Sequence, residues 1–111
     1  MSRELAIRVC LLRLKRAIEN DHCVFVERQK NTQALFDLGL TLDSLFDVLL
    51  RLTPADYAGG PEADDNDTKG QVWKFTHPVG GQTVYIKLKF FSVENQDWMK
   101  ILSFHPTTEE P

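Results

Sequence analysis

The stretch Thr83-Val84-Tyr85-Ile86-Lys87-Leu88-Lys89-Phe90-Phe91 decides the fold. Val84, Ile86, Leu88 and Phe90 alternate with Tyr85, Lys87, Lys89 and Phe91. This period of two is that of a strand with one face on a core. The first set must be packed against something. The second is left open and carries a tyrosine and two lysines.

Working outward, Gln71 to His77 and Trp98 to His105 read as two further strands. Pro78-Val79-Gly80-Gly81 and Glu94-Asn95-Gln96-Asp97 supply the turns. With Gly80-Gly81 as a two-residue hairpin turn, Thr76 faces Tyr85 and Lys74 faces Lys87. Phe75 then meets Ile86, and Trp73 meets Leu88, so every large apolar residue falls on one side. The same register opposes Lys74 and Lys87, which is unfavourable unless an anion lies near them. In the last strand Leu102 and Phe104 are expected on the buried face, with Ser103 and His105 on the open one. That parity requires an odd loop or a bulge. The open face then holds Lys74, Tyr85, Lys87, Lys89, Ser103 and His105.

The N-terminal half reads as helical. Ile7, Leu11, Leu14 and Ile18 recur at helical spacing within Glu4 to Glu19, with Cys10 beside them. Cys23 to Val26 reads as a short strand. A second helix covers Asn31 to Leu38 and stops at Gly39. Thr41 caps a third, Leu42 to Leu52. From Ala58 to Gly70 the composition turns to Gly, Pro, Asp and Asn, and an acidic loop is expected over 58–70. Helices followed by a meander predict an α+β fold, with N-terminal helices packed on a twisted antiparallel sheet. The 111 residues suffice for a single domain spanning 1–111.

Hydrophobic residues make up 42% and charged residues 26%, a globular profile. No apolar run approaches a membrane span, and charges begin at Arg3 with no signal-like stretch, so a cytoplasmic protein is expected. The formal charge is −3, yet Asp56, Glu62, Asp64, Asp65 and Asp67 crowd into one stretch without a base. From Lys69 to His105 five lysines stand against Glu94 and Asp97, so the C-terminal part is locally basic and suits a phosphate-bearing ligand. Arg13, Lys15 and Arg16 read as a solvated helix face, with RNA contact as the alternative. Cys10 reads as a small buried hydrophobe. Cys23 follows His22, but neighbours in sequence seldom converge in space, and the cysteines and histidines show no metal-ligand spacing.

The open face suits metal-free RNA cleavage. The 2′-hydroxyl must lose a proton to attack phosphorus and the leaving 5′-oxygen must gain one, and His and Tyr are residues that transfer protons. Lysines stabilise charge on the phosphoryl oxygens. No acidic cluster on this face offers ligands for Mg²⁺, so no metal or other cofactor is expected. The same residue types also occur on inert solvated sheet faces, and that alternative stays open on spacing alone.

Tyr85-Ile86-Lys87-Leu88-Lys89 followed by Ile101-Leu102-Ser103-Phe104-His105-Pro106 resembles the C-terminal signature of the MqsR toxin family. So do Leu38-Gly39-Leu40, the helix to Leu52, Pro54-Ala55-Asp56-Tyr57, Gly60-Pro61 and Val72-Trp73. The resemblance runs from about Ile18 to Pro106. It implies a RelE-like fold and a metal-independent endoribonuclease that cleaves mRNA, free or ribosome-associated, and arrests growth. It further implies a cognate antitoxin as partner. The family's tyrosine falls on Tyr85, its terminal basic residue on His105, and the polar residue after the tryptophan on Lys74. With Lys87 these make the expected catalytic set; Lys69, Lys89 and Ser103 are the expected substrate contacts. The chain departs from the family at Tyr57-Ala58-Gly59-Gly60-Pro61, which lacks the usual lysine before Gly-Pro. Lys69, Lys74 or Lys89 is the expected replacement. The departure also favours a second reading, a catalytically weak RNA- or protein-binding relative acting as an interaction module. A third reading, a plain interaction domain without nucleic acid, fits the overall acidity.

Overall fold

The computed structural model describes residues 2–64 and 67–107, with residues 64 and 67–69 described in backbone only. Three helices come first: α1 (Arg3–Glu19), α2 (Gln29–Leu38) and α3 (Leu42–Leu50). Each boundary has a local cause. The Ser2 side chain accepts from Leu5 N at the start of α1. Gly39 ends α2 in the left-handed region, at φ 68, where a Cβ is costly. Thr41 and Ser44 form a reciprocal capping box at the start of α3.

The strands are β1 (Cys23–Phe25), β2 (Tyr57–Asp64), β3 (Asp67–Val79), β4 (Gln82–Val93) and β5 (Gln96–Pro106). They form one sheet in the order β1-β5-β4-β3-β2, with β1 parallel to β5 and the other pairs antiparallel. The fold is therefore α+β, as the sequence predicts. Ile7, Cys10, Leu14 and Ala17 of α1 and Leu45, Val48 and Leu49 of α3 pack on Phe75, Ile86, Leu88, Ile101 and Phe104 from one side of the sheet. Phe75, Ile86, Leu88 and Phe104 have no solvent exposure. Burial of this many large apolar side chains is what holds the helices to the sheet.

The register of β3 and β4 is the expected one: Phe75 pairs with Ile86, Lys74 with Lys87 and Thr76 with Tyr85. The Gly80-Gly81 turn has both residues at positive φ, the requirement of a two-residue hairpin. Glu94 and Asn95 serve the same way between β4 and β5.

Two expectations are corrected. Leu102 does not join the buried face. A bulge lies where Lys87 pairs with Ser103 and Leu88 with Ile101, which leaves Leu102 as the extra residue. Met99 and Ile101 fill the core instead, each fully buried. The stretch expected as a loop over 58–70 is largely strand, with β2 paired to β3 through several register shifts. Gly59, Gly60 and Pro61 masked it as a loop, but such residues are accommodated at bulges of an edge strand.

Where β1 ends, the buried side chain of Asn31 takes over the edge of β5. Its Nδ2 donates to the carbonyls of Val26 and Leu102, at 2.9 and 3.1 Å, and its Oδ1 accepts from Phe104 N at 3.1 Å.

A basic and aromatic sheet face as candidate active site

The face of the sheet turned away from α1 and α3 is organised in rows that run across the strands. Thr76, Tyr85 and His105 are paired neighbours in one row. Lys74, Lys87 and Ser103 form the next, then Val72, Lys89 and Lys100, and then Phe91 with Trp98. The four expected catalytic residues thus occupy two adjacent rows of one face.

Tyr85 and His105 rings lie 5.8 Å apart at 50°. His105 Nδ1 is 3.2 Å from the carbonyl oxygen of Pro106. A carbonyl only accepts, so Nδ1 carries the proton and Nε2 of the neutral ring keeps its lone pair. The backbone therefore sets the tautomer that a general base needs. Both rings are half-buried, a setting in which a proton donor and acceptor stay in contact with solvent-borne substrate.

Lys74 and Lys87 are directly opposed, and the anion that this opposition calls for comes from the chain itself. Lys74 Nζ lies 2.7 Å from Glu62 Oε1, with the two side chains 30% and 49% exposed. Glu62 belongs to β2, in the segment read from sequence as a loop. A signal for it existed in the like-charge pair, but its position depends on the shifts in the β2–β3 register.

The expected substrate contacts fare differently. Lys89 lies on the correct face but is only 4% exposed, close over Gly70, and Ser103 is 7% exposed. Both are structural members of this face as it stands. Lys69 lies outside the residues whose side chains are described. Lys100 and Trp98 were not singled out from sequence, and His22 was weighed only beside Cys23. The bulge switches Trp98 and Lys100 onto the open face, and His22 reaches them from the residue before β1, whose carbonyl accepts from Met99 N. The His22 and Trp98 rings are stacked at 4.4 Å and 10°, and Phe91 and Trp98 at 6.4 Å and 26°. Lys100 Nζ sits 5.6 Å from the centre of the Phe91 ring, within cation–π range.

The cysteines are unsuited to nucleophilic work. Burial pushes the Cys10 thiol up to about 12, the nearby Arg13 opposing it, and pushes Cys23 to about 11, with Asp21 adding to the shift. The third histidine, His77, is on the other face. Its Nδ1 lies 3.2 Å from Asp56 Oδ2 but not in hydrogen-bonding alignment, so this contact is an ion pair only when the ring is protonated. Among the described residues no group of three or more His, Cys, Asp or Glu could hold a metal ion, and no helix is long and apolar enough to cross a membrane. No family model, no curated protein and no solved structure matches the chain.

Proposed function

We propose that this protein is a metal-independent endoribonuclease that cleaves mRNA in the cytoplasm, the toxin of a toxin–antitoxin pair of the MqsR type. The observation that carries the reading is the adjacency of Tyr85 and His105, with Lys74 and Lys87 in the next row of the same face. His105 Nε2 takes the proton of the 2′-hydroxyl as its oxygen bonds to phosphorus. Tyr85 gives its phenolic proton to the departing 5′-oxygen as the P–O5′ bond breaks. The lysines stabilise the charge on the equatorial oxygens. Proton return from His105 to Tyr85 restores the starting state, and the products are a 2′,3′-cyclic phosphate and a 5′-hydroxyl. An antitoxin carrying acidic groups would silence the enzyme by covering the same basic face.

The test is cleavage of mixed-sequence RNA by purified protein in EDTA, with the product ends analysed. Retained activity with cyclic phosphate ends supports the mechanism, and activity that EDTA abolishes refutes it. One observation favours a second reading, an RNA- or protein-binding relative with weak catalysis: Glu62 already engages Lys74. Binding of RNA without turnover in the same assay selects it.

A further inference from the structure

We propose that the far end of the same face is a base-stacking subsite for single-stranded RNA, built from Phe91, Trp98 and His22 with Lys100; this rests on the ribonuclease reading. Phe91 and Trp98 point away from the core and are partly exposed, so packing of the helices does not account for them. Their rings are already ordered. His22 Nδ1 donates to the Asp97 carbonyl at 3.2 Å, which fixes the imidazole against the Trp98 ring, and Phe91 continues the stack. Beside His22 lies a polar recess of about 420 Å³ lined by Arg16, Asn20, His22, Gln96 and Asp97. The Lys100 ammonium completes the pattern, a cation above an aromatic ring.

Aromatic platforms next to lysines are how proteins hold single strands without reading sequence. The bases stack and the cations follow the phosphates. Charge separates this occupant from a protein. Among the described residues the open face presents Lys74, Lys87 and Lys100, with Glu62 paired to Lys74. Geometry supplies a length. Six residue steps along β4 separate Tyr85 from Phe91, about 20 Å at strand rise. That is the span of on the order of six stacked nucleotides. An RNA cut at the Tyr85–His105 end therefore reaches the aromatic strip only if it extends that far, and Lys87 and Lys100 lie in the rows between the two ends.

The experiment measures kcat/KM for oligoribonucleotides of increasing length, extended on either side of one cleavable step, with wild type, Trp98→Ala, Trp98→Phe and Lys100→Gln. In wild type, kcat/KM is expected to rise about 10- to 100-fold once the RNA spans the strip. Trp98→Ala should lose that rise through KM while cleaving the shortest substrates at the wild-type rate, and Trp98→Phe should retain most of it. Lys100→Gln gives a partial loss and keeps the test alive if Trp98→Ala does not fold. A folded Trp98→Ala protein with the wild-type length profile overturns the subsite. So does a variant that loses binding of a co-expressed protein partner while its RNA kinetics are unchanged. Direct binding of a single-stranded RNA about 20 nucleotides long separates the two claims. Binding weakened by Trp98→Ala in a protein that cleaves nothing keeps the subsite and removes catalysis. Absence of RNA binding removes both.

Discussion

Glu62→Gln removes a carboxylate from the β2 margin of the basic face and leaves its shape unchanged. The carboxylate sits 2.7 Å from Lys74 Nζ. At that separation the bare attraction in water is about 1.5 kcal/mol. Both side chains are substantially solvated, so screening and side-chain entropy reduce the contribution to stability to about 0.2–1 kcal/mol. The melting temperature should therefore fall by no more than about 4–8 °C. RNA binding should move the other way. A carboxylate that competes with a phosphate for Lys74 is gone, which corresponds to an affinity gain of about 2- to 5-fold at low salt. The salt dependence gives the sharper reading. Each additional phosphate contact of a single strand steepens the slope of log K against log salt by about 0.7. Fluorescence anisotropy of a labelled RNA, titrated at several salt concentrations in a Tyr85→Phe background, measures both quantities. Glu62→Gln should steepen the slope by up to that amount, and Lys74→Gln should flatten it by the same. Unchanged slope and affinity in both variants would refute the argument that Lys74 meets phosphate.

His105→Ala and Tyr85→Phe should each lower cleavage by about 100- to 10,000-fold with wild-type far-UV spectra; full activity in a folded His105→Ala protein removes that residue from the mechanism. Phe75→Ala should cost about 3–5 kcal/mol in urea melts, since Phe75 is fully buried in the core between the sheet and the helices. Asn31→Ala orphans the Phe104 N–H and the Leu102 carbonyl, at about 1–3 kcal/mol for each group left unsatisfied. Cys23 yields a pH prediction. Its folded pKa is raised from 9.0 to about 11, so its contribution to stability is complete below pH 9 and is lost as pH rises towards 11. Urea melts of wild type should therefore lose more stability over that window than those of Cys23→Ala.

The hairpin of β3 and β4 was legible because alternation and the Gly80-Gly81 turn agree, and a slip of one residue would turn Ile86 and Leu88 to solvent. The opposed lysines were legible for the same reason. Parity along β5 was only half legible. The Glu94-Asn95 turn pairs Phe91 with Trp98, whereas the burial of Phe104 pairs it with Ile86, and the two are compatible only with one extra residue between them. Apolar character at Ile101 and Leu102 alike hid which residue it was, and with it Trp98 and Lys100. Strand β2 was not legible, because its pairing overrides the local preferences of Gly and Pro. Glu62 was lost with it. His22 depended on a contact across 75 positions of sequence, beyond any local pattern.

The two margins of the sheet carry a consequence for self-association. A row of unpaired N–H and C=O groups invites another chain to add as a further strand. On one margin β1 has three residues, and the Asn31 carboxamide satisfies the β5 backbone just beyond it. On the other, β2 is broken by register shifts and contains Pro61, which has no amide hydrogen to offer. Neither margin presents a long regular template, so the chain is protected against growing into open-ended fibres by edge-to-edge addition. An Asn31 variant would weaken this guard on the β5 side and should be the first to form fibrils on prolonged incubation.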